Sequence, residues 1–370
     1  MRVFLAGTSF DPSYGGPATS VASLARELAI AGIDVGVWAP DQSVHCLTSL
    51  EQYGIRCLRG TLRRASLDYG VTDIFHDNGI WRSHNHALSR QATELGVPRI
   101  VSTRGMLEPW SFHHKALKKR LAWSLYQMRD LQRATCLHAT AKQEAVNLCR
   151  LGLGVPIITI PNGVDIPADA ELQRYRTSIV GNKRKVALFL SRLNPVKGLR
   201  MLIEAWARIR PPGWTLNIAG PDERGHRAEI ERLVLLNGLA DDITFLGTIA
   251  PEKRGYVYAT ANLFILPTYS ENFGMVVAEA LAHGLPVLTT TGAPWAQLIA
   301  KRCGWWVAPT AEAIADALRE ATSCDVSTLR EMGERGREYV RVDYSWPVVA
   351  RAMLDVYKSM TSPGSSAILL

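Results

Sequence analysis

Short apolar runs alternate with stretches of helical periodicity along most of the 370-residue chain. The chain opens on the apolar run Arg2–Gly7, and after a polar, glycine-rich turn apolar residues recur at helical spacing from Val21 to Leu28. Pro17 fits the first turn of this helix, because its missing N–H has no partner there. A second apolar run, Val35–Trp38, completes a strand–helix–strand unit, which requires a parallel sheet.

The same alternation continues in two series, separated by residues 166–185, which are polar, lack periodicity and therefore predict a linker or loop. The first series predicts strands at Asp73–His76, Arg99–Ser102, Cys136–Ala139 and Ile157–Ile160. The second predicts strands at Val186–Leu190, Thr215–Ala219, Ile243–Leu246, Leu263–Leu266, Pro286–Thr289 and Trp305–Val307, and helices at Leu199–Ile209 and Val276–His283. The fold class is therefore α/β, with two doubly wound, Rossmann-like domains. Ligands of such sheets bind at the carboxyl ends of the strands, so we expect a site in a cleft between the domains.

Composition narrows the class of protein. Hydrophobic residues make up 47% and charged residues 21%, as in ordinary globular chains. No run approaches the roughly 18 apolar residues of a membrane-spanning helix, and Val3–Ala6 is too short for a signal peptide, so we expect a cytoplasmic protein. The six cysteines are scattered without a C-x-x-C pair, which predicts buried free thiols rather than disulfides or a zinc site. We expect Thr361–Leu370 to form a frayed tail.

The net charge of +8 favours anionic partners, such as nucleotides, phosphates, nucleic acid or acidic lipid. Much of the excess lies in residues 112–133, where cations are interleaved with Leu, Trp and Tyr and opposed only by Asp130. These cations are Lys115, Lys118, Lys119, Arg120, Arg129 and Arg133. Such a segment fits an anionic membrane surface, and it equally fits an ordinary amphipathic helix with solvated cations.

The strongest chemical pattern is Glu271–Ala280, which follows an apolar strand and a polar turn. If a helix begins near Gly274, Glu279 lies inside it and Glu271 lies in the loop before its N-terminus. Free N–H groups and the positive dipole end suit a phosphate there, and glycine permits close approach. The Glu279 carboxylate can then accept both hydroxyls of a ribose. Two solvated glutamates around an ordinary helix start are the alternative.

Two more loops follow strands and carry candidate ligand groups. Arg192 and Lys197 can clamp a diphosphate, the arginine as a bidentate donor and the lysine as a point charge, or can form a solvated basic turn. Gly15 and Gly16 precede a helix N-terminus and can cradle a phosphate or sugar, or form a plain tight turn. They match neither the dinucleotide fingerprint nor the phosphate-binding loop.

In this order and at these positions, the motifs resemble the retaining, GT-B-fold glycosyltransferases of the group 1 (family 4-like) class. Further segments that carry the resemblance are Ile160–Asp165, Ile218–Gly220, Phe245–Gly247 and Tyr344–Trp346. The resemblance implies retaining transfer of a hexose-type sugar from a nucleotide-diphosphate sugar to a glycan or polyprenyl-linked acceptor in polysaccharide biosynthesis. It implies an acceptor-binding domain at 1–165, a nucleotide-sugar domain at 166–342, and a C-terminal helix within 343–370 that packs back on the first domain. A lipid-linked acceptor would place the protein peripherally on the inner face of the cell membrane.

The resemblance also implies roles for single residues. Arg192 and Lys197 would neutralise the diphosphate and the leaving nucleotide, Glu271 would contact the transferred sugar, and Glu279 would hold the donor ribose. Residues that would line the sugar, the phosphates and the base are Asn272, Phe273, Gly274, Met275, Gly220 and the loop after Phe245. No cofactor is expected, and cations and the helix dipole would take the place of a metal.

Arg104 departs from the pattern of the family. Many relatives place a histidine after the fourth N-terminal strand, near the reacting carbon. A guanidinium cannot act as a base, so Arg104 would bind substrate or phosphate, and the group that activates the acceptor is left open. His76, at the end of a strand, is predicted to face the substrate. A metal site among His84, His86, His113 and His114 is disfavoured, because no H-x-x-x-H spacing or cysteine partner accompanies them.

Two other classes of protein compete with this interpretation. Nucleotide-sugar epimerases or hydrolases share the architecture, but the Glu271…Glu279 pattern favours transfer. A basic nucleic-acid-binding protein would explain the sequence pI near 9.2, but no recognised nucleic-acid motif accompanies the charge.

Overall fold

The computed structural model describes residues 1–11, 15–108, 116–177 and 184–361. The chain divides into two compact units, one formed by Met1–Gly163 with Trp346–Leu370 and the other by Val164–Ser345. The limits expected from the sequence, after residues 165 and 342, lie two and three residues from these divisions.

The first unit is built on a parallel sheet of seven strands in the order β3-β2-β1-β4-β5-β6-β7. Its strands are β1 Arg2–Gly7, β2 Asp34–Trp38, β3 Arg56–Leu58, β4 Ile74–Asn78, β5 Arg99–Ser102, β6 Cys136–Ala139 and β7 Ile157–Thr159. The strand order reverses between β1 and β4, which is the position where doubly wound sheets bind ligands. The short edge strand β3 is the one that the sequence pattern did not predict.

Helices cover both faces of this sheet. They are α1 Gly16–Ile30, a 3-10 helix at Ser43–Tyr53, α2 Leu62–Tyr69, α3 Ser83–Leu95, α4 Ala116–Ala122, a π-helical turn at Trp123–Gln127, α5 Met128–Gln132 and α6 Lys142–Cys149. Val21, Leu24 and Leu28 of α1 are buried, as the helical spacing predicts, and Pro17 lies in the first turn. The opposite face of the sheet is covered by α2 and α3, whose Ala65 and Leu88 are fully buried.

The second unit has a parallel sheet of six strands in the order β10-β9-β8-β11-β12-β13. Its strands are β8 Lys185–Leu190, β9 Trp214–Ala219, β10 Ile243–Gly247, β11 Leu263–Leu266, β12 Val287–Thr290 and β13 Gly304–Val307. Its helices are α7 Asp169–Thr177, a 3-10 helix at Pro195–Lys197, α8 Leu199–Ile209, α9 His226–Leu236, α10 Pro251–Ala259, α11 Met275–Ala282, α12 Gln297–Ala300, α13 Ala311–Ser323 and α14 Val326–Tyr344. The predicted α/β class is confirmed in both units.

Helix α7 corrects the prediction of a linker or loop at residues 166–185. Its buried apolar anchor is Leu172, which is 3% exposed, and Tyr175 packs edge-on against Tyr256 with ring centroids 6.1 Å apart. Arg337 donates hydrogen bonds to the carbonyl of Pro167 and to the Asp169 carboxylate, 2.6 Å and 2.8 Å long. A helix held by so narrow an apolar face shows little periodicity in its sequence.

The chain returns to the first unit through helix α15, Trp346–Thr361, which packs beside α1. Val349, Met353 and Tyr357 of α15 are buried in the same core as Val21 and Leu24. The start of α15 also restricts which amino acid can stand at position 163, where the chain leaves this unit. A Cβ atom on Gly163 would lie 2.3 Å from the indole of Trp346, so the close approach requires glycine. Most of the predicted tail, residues 362–370, lies outside the described residues.

All six cysteines are free, and only Cys136 and Cys303 are buried. The prediction of buried thiols is therefore wrong for Cys46 and Cys149, which are exposed. In the described part of the chain, no helix combines the length and apolar character that crossing a membrane requires.

Candidate functional site

Two loops at the carboxyl edge of the second sheet bring a cation and a carboxylate together. Lys197 ends the 3-10 helix after β8, and its Nζ forms an ion pair with Oε1 of Glu271 in the loop after β11. Only 8% of the lysine side chain and 16% of the glutamate side chain are exposed. The residues expected to contact the diphosphate and the transferred sugar are thus direct neighbours, and each neutralises the other.

Backbone hydrogen bonds hold these loops in register. The Thr268 hydroxyl and the Tyr269 amide both donate to the carbonyl of Val196, over 3.0 Å and 2.8 Å. The amide of Glu271 donates to the carbonyl of Gly292 over 2.8 Å. The backbone that carries the Lys197–Glu271 pair is therefore hydrogen-bonded to neighbouring loops.

Helix α11 begins at this pair, which confirms the predicted start near Gly274. Gly274 adopts φ +82° before the first residue, Met275, and no side chain caps the helix N-terminus. The first turn carries no acidic residue. Uncapped N–H groups and the positive end of the helix dipole thus lie beside Lys197, which suits an anionic ligand.

Trp295 supports this helix start, and the sequence analysis did not identify it. Its indole Nε1–H donates a 2.6 Å hydrogen bond to the carbonyl of Phe273, and the two rings pack with centroids 5.3 Å apart. Trp295 is 1% exposed and also packs on Tyr344. The one available signal was a tryptophan in the run of small residues after β12. The indole fixes the peptide that precedes Gly274 and so positions the backbone of the loop.

Glu279 lies one turn into α11 and is partly buried. The Tyr258 hydroxyl donates a 2.8 Å hydrogen bond to its Oε2. Burial raises the pKa of Glu279 above its usual value, while the bond from Tyr258 and the charge of Arg254 oppose that rise. Among the described residues Oε1 has no hydrogen-bond partner, so it can accept from a ligand hydroxyl.

Arg192 and Gly220 lie in neighbouring loops of the same edge. Nη1 of Arg192 pairs with Oε2 of Glu223 at 3.0 Å, and 58% of the arginine side chain is exposed. Gly220 has φ +137°, and a Cβ atom there would lie 1.8 Å from the carbonyl oxygen of Ser191, so the approach of these two loops requires glycine. Phe245, near the loop expected to border a base, packs under the guanidinium of Arg227 at 5.4 Å.

The candidate substrate-binding residues of the first unit lie at the carboxyl edge of its sheet. Gly15, with φ +88°, precedes α1, which begins at Gly16 and has no side-chain cap. Arg104 follows β5 and donates to Oδ1 of Asn162 and of Asn78, over 2.5 Å and 2.7 Å. Burial lowers the pKa of Arg104 to about 10, so its guanidinium stays charged at neutral pH.

The structure corrects the prediction that His76 faces the substrate. The side chain is 0% exposed, since β4 is covered by helices on both faces of the sheet. Nδ1 accepts from the Tyr357 hydroxyl at 2.6 Å, and Nε2 donates to Ser102 Oγ at 2.7 Å. Burial lowers the pKa of His76 well below its usual value. His76 therefore fastens α15 to the sheet as a neutral ring.

The remaining histidines form no metal centre among the described residues, where no group of three His, Cys, Asp or Glu side chains converges. Burial lowers the pKa of His84 to about 4, and His86 Nδ1 lies 2.9 Å from Asp130. His113 and His114 lie outside the described residues.

The basic segment is helical from Ala116 to Gln132, and residues 112–115 of it lie outside the described ranges. Lys118 and Arg120 are exposed. Leu121 and Leu125, one turn apart, are each 62% exposed on the same helix. Leucines of other helices, such as Leu67 and Leu236, are at least as exposed, so this exposure fits both a membrane-facing helix and an ordinary amphipathic helix.

Comparison with known proteins gives two family matches. Residues 14–167 match the model described as Glycosyltransferase Family 4, and residues 174–339 match the model described as Glycosyl transferases group 1. Each structural unit thus contains most of one match.

Individual relatives agree with these matches. The D-inositol 3-phosphate glycosyltransferase of Gordonia bronchialis is 29% identical over 214 residues, covering 55% of this chain and 46% of that enzyme. The chain thus spans about half the length of the curated relatives that it matches first. The D-inositol 3-phosphate glycosyltransferase 2 of Catenulispora acidiphila is 27% identical over 93% of this chain and 90% of its own length.

Among solved structures, Anabaena Alr3699/HepE in complex with UDP-glucose superposes with a TM-score of 0.75. The identity is 18%, and the match covers 97% of this chain and 100% of that one. The likeness shows that the two Rossmann-like units together have the GT-B fold.

Proposed function

Because its two halves match the models of glycosyltransferase family 4 and of group 1, the chain belongs to the group 1 glycosyltransferases, and we propose that it transfers a hexose-type sugar from a nucleotide-diphosphate sugar. The acceptor is a glycan or a polyprenyl-linked glycan in polysaccharide biosynthesis, and the anomeric configuration is retained. The first unit binds the acceptor and the second unit binds the donor.

The observation that carries the proposal is the Lys197–Glu271 pair at the uncapped N-terminus of α11. A diphosphate that binds here would contact the lysine ammonium and the free N–H groups. It would replace Glu271 as the partner of the lysine, and Glu271 could then contact the sugar. Lys197, with Arg192 from the same loop, would then balance the charge that grows on the leaving nucleotide. The complex of the Anabaena relative with UDP-glucose supports a nucleotide-sugar donor of this kind.

Transfer is tested by donor turnover with and without an added acceptor glycan. The proposal predicts release of nucleoside diphosphate that accelerates strongly with acceptor, together with a glycosylated product whose anomeric proton coupling matches that of the donor. Turnover that is independent of acceptor would instead indicate an epimerase or hydrolase of the same fold. An inverted product would refute retention.

Glu279→Gln is expected to weaken donor binding at least several-fold, because an amide accepts the two ribose hydroxyl bonds less well than a carboxylate does. Calorimetric titration with a ribose donor and its 2′-deoxy analogue checks this, and the deoxy donor should lose less. Glu204→Gln, on α8 of the same unit, is the matched control and should bind donor normally. Equal losses of affinity for both donors would show that Glu279 does not contact the ribose.

We also propose that α4 and the turn after it lie on an anionic membrane surface, which would place the protein on the inner face of the cell membrane. Lys118 and Arg120 each contribute on the order of 1 kcal/mol near such a surface, and salt screens that contribution. The exposed Leu121 and Leu125 supply the apolar contact.

Reversal of Lys118 and Arg120 to glutamate is expected to release the protein from anionic vesicles in a low-salt sedimentation assay. The exposed pair Arg59 and Arg63, when reversed, gives the same change in net charge on another surface of the unit and should leave binding intact. If the wild-type protein ignores anionic vesicles, or if both double variants lose binding equally, this helix is not the membrane contact.

A further inference from the structure

Two aromatic rings hold Glu279 at both its side chain and its backbone. The Tyr258 hydroxyl donates a 2.8 Å hydrogen bond to Oε2 of the carboxylate. His283, which directly follows α11, donates from Nδ1 to the backbone carbonyl of Glu279 over 2.7 Å. The two rings stack on each other, with centroids 4.8 Å apart and an interplanar angle of 27°. Both polar ends of Glu279 are therefore attached to one stacked pair of rings.

The core of the second unit fixes Tyr258. The residue is 1% exposed, and its ring also packs on Phe264 of β11 with centroids 5.9 Å apart. Tyr258 belongs to α10 and Glu279 to α11, so their hydrogen bond joins two helices. A closely packed phenol has little rotational freedom and fixes the direction of the carboxylate to which it donates. Oε1 of Glu279, which has no hydrogen-bond partner among the described residues, is the oxygen left for a ligand.

The same hydroxyl offsets part of the cost of burying a negative charge. Burial raises the pKa of Glu279, and the hydrogen bond from Tyr258 opposes this rise. The charge of Arg254 opposes the rise as well, and the charge of Asp165 adds to it. Burial and the neighbouring carboxylate raise the pKa of Tyr258 well above its usual value, so the phenol keeps its proton and donates. Without the hydroxyl, a larger fraction of Glu279 would be protonated at a given pH.

We propose that Tyr258 is a positioning residue that gives the donor site its preference for a ribose over a deoxyribose. An ionised carboxylate accepts hydrogen bonds from hydroxyl groups more strongly than a neutral carboxyl does, and a deoxyribose offers one hydroxyl fewer. This inference rests on the proposed function, in which Glu279 binds the donor ribose. Because Tyr258 acts through Glu279, the effect of its hydroxyl is largest for the sugar that Glu279 binds best.

The test titrates the full chain calorimetrically with UDP, ADP and GDP and with the 2′-deoxy form of each. Tyr258→Phe should weaken the binding of the ribonucleotide at least severalfold and that of its deoxy form less, so the ratio of the two dissociation constants shrinks. Tyr256→Phe is the matched control, because it removes the same hydroxyl from a ring of the same helix that is 45% exposed. This control should keep the wild-type ratio. Circular dichroism checks that both variants are folded.

The pH dependence of ribonucleotide binding separates positioning from a merely structural role. Acidification protonates Glu279 and weakens binding, and Tyr258→Phe should lose affinity at a higher pH than the wild type does, because the hydroxyl no longer favours the ionised form. Arg254→Gln, at an exposed residue, removes a charge that favours the same form and should shift the profile in the same direction. This second reading holds even if Tyr258→Phe folds poorly. Titration of the nucleotide itself is common to all variants and cancels in the comparison.

Two sets of outcomes overturn the proposal and can be told apart. If Tyr258→Phe leaves affinity unchanged, or weakens both sugar forms by the same factor at every pH, Tyr258 does not act through Glu279. If Arg254→Gln keeps the wild-type pH profile, ionisation of Glu279 does not control binding. In these cases a wild-type protein that prefers the ribonucleotide still supports the donor site. A wild-type protein that binds no nucleotide, or binds both sugar forms equally, refutes the assignment of Glu279 to the ribose and this inference with it.

Discussion

Lys197→Ala is expected to lower turnover by about a hundredfold or more, which is the usual consequence of losing one group that stabilises developing charge. Lys197 is the buried cation at the N-terminus of α11, and its removal leaves Glu271 without its ion-pair partner. Donor binding should weaken less than turnover falls, because the charge on the leaving nucleotide is largest in the transition state.

Lys185→Ala is the matched control for this variant. Lys185 begins β8, the strand that precedes the loop of Lys197, and its Nζ donates to the carbonyl of Cys324 over 3.1 Å. Its removal should affect thermal stability slightly and turnover hardly at all. Steady-state rates of the two variants measure this difference in turnover, and circular dichroism checks that both proteins are folded. A folded Lys197→Ala protein with near wild-type turnover would exclude the assigned role.

Gly198→Ala is expected to destabilise the second unit by at least about 3 kcal/mol, at the upper end of what overpacking of a rigid site costs. Gly198 has φ +71°, and an added Cβ would lie 1.9 Å from the carbonyl oxygen of Pro267. The contact is backbone to backbone, so no side chain can move away to relieve it. The loop that holds Lys197 would have to shift, and donor binding should fall as well.

Gly213→Ala separates the strain of the left-handed backbone from the steric clash. Gly213 has φ +74°, and nothing lies within 4 Å of its added Cβ. Its substitution should cost only about 1–2 kcal/mol, the backbone penalty alone. Denaturant unfolding of the two variants measures the difference, and equal destabilisation would show that the loops do not require the close approach at Gly198.

The strand pattern was predictable because strands of a doubly covered parallel sheet are continuous apolar runs. Arg99–Ser102, Cys136–Ala139 and Leu263–Leu266 have the predicted bounds, and most others shift by a residue. The edge strand Arg56–Leu58 is too short to produce such a run. Helix α7 was hidden for a different reason, since its sequence is polar and it is held by tertiary contacts with Arg337 and Tyr256.

Only those features of the candidate site that depend on residues close together in the sequence were predictable. Gly274 at the start of a helix, with Glu271 before it and Glu279 inside it, follows from spacing. The ion pair of Lys197 with Glu271 joins residues 74 positions apart, and no pattern in the chain announces it.

Burial likewise depends on tertiary structure. His76 was expected at the end of a strand, but it lies in the middle of β4, and α15, returning from the far end of the chain, covers its ring and bonds to it. The hydrogen bond from Trp295 to Phe273 also depends on tertiary structure, because it joins the loops that follow two different strands.

The thermal stability of the full chain with a panel of nucleoside diphosphates and their sugar esters is the decisive test of whether the second unit binds a nucleotide diphosphate at Lys197 and Glu279. A ligand that binds only the folded state at a hundred times its Kd adds about 2.7 kcal/mol of stability. We expect at least one nucleoside diphosphate to raise the Tm of the wild-type protein, Lys197→Ala and Glu279→Gln to reduce the shift, and Lys185→Ala to preserve it. If no nucleotide raises the Tm, or if all three variants respond as the wild type does, Lys197 and Glu279 do not form the donor site.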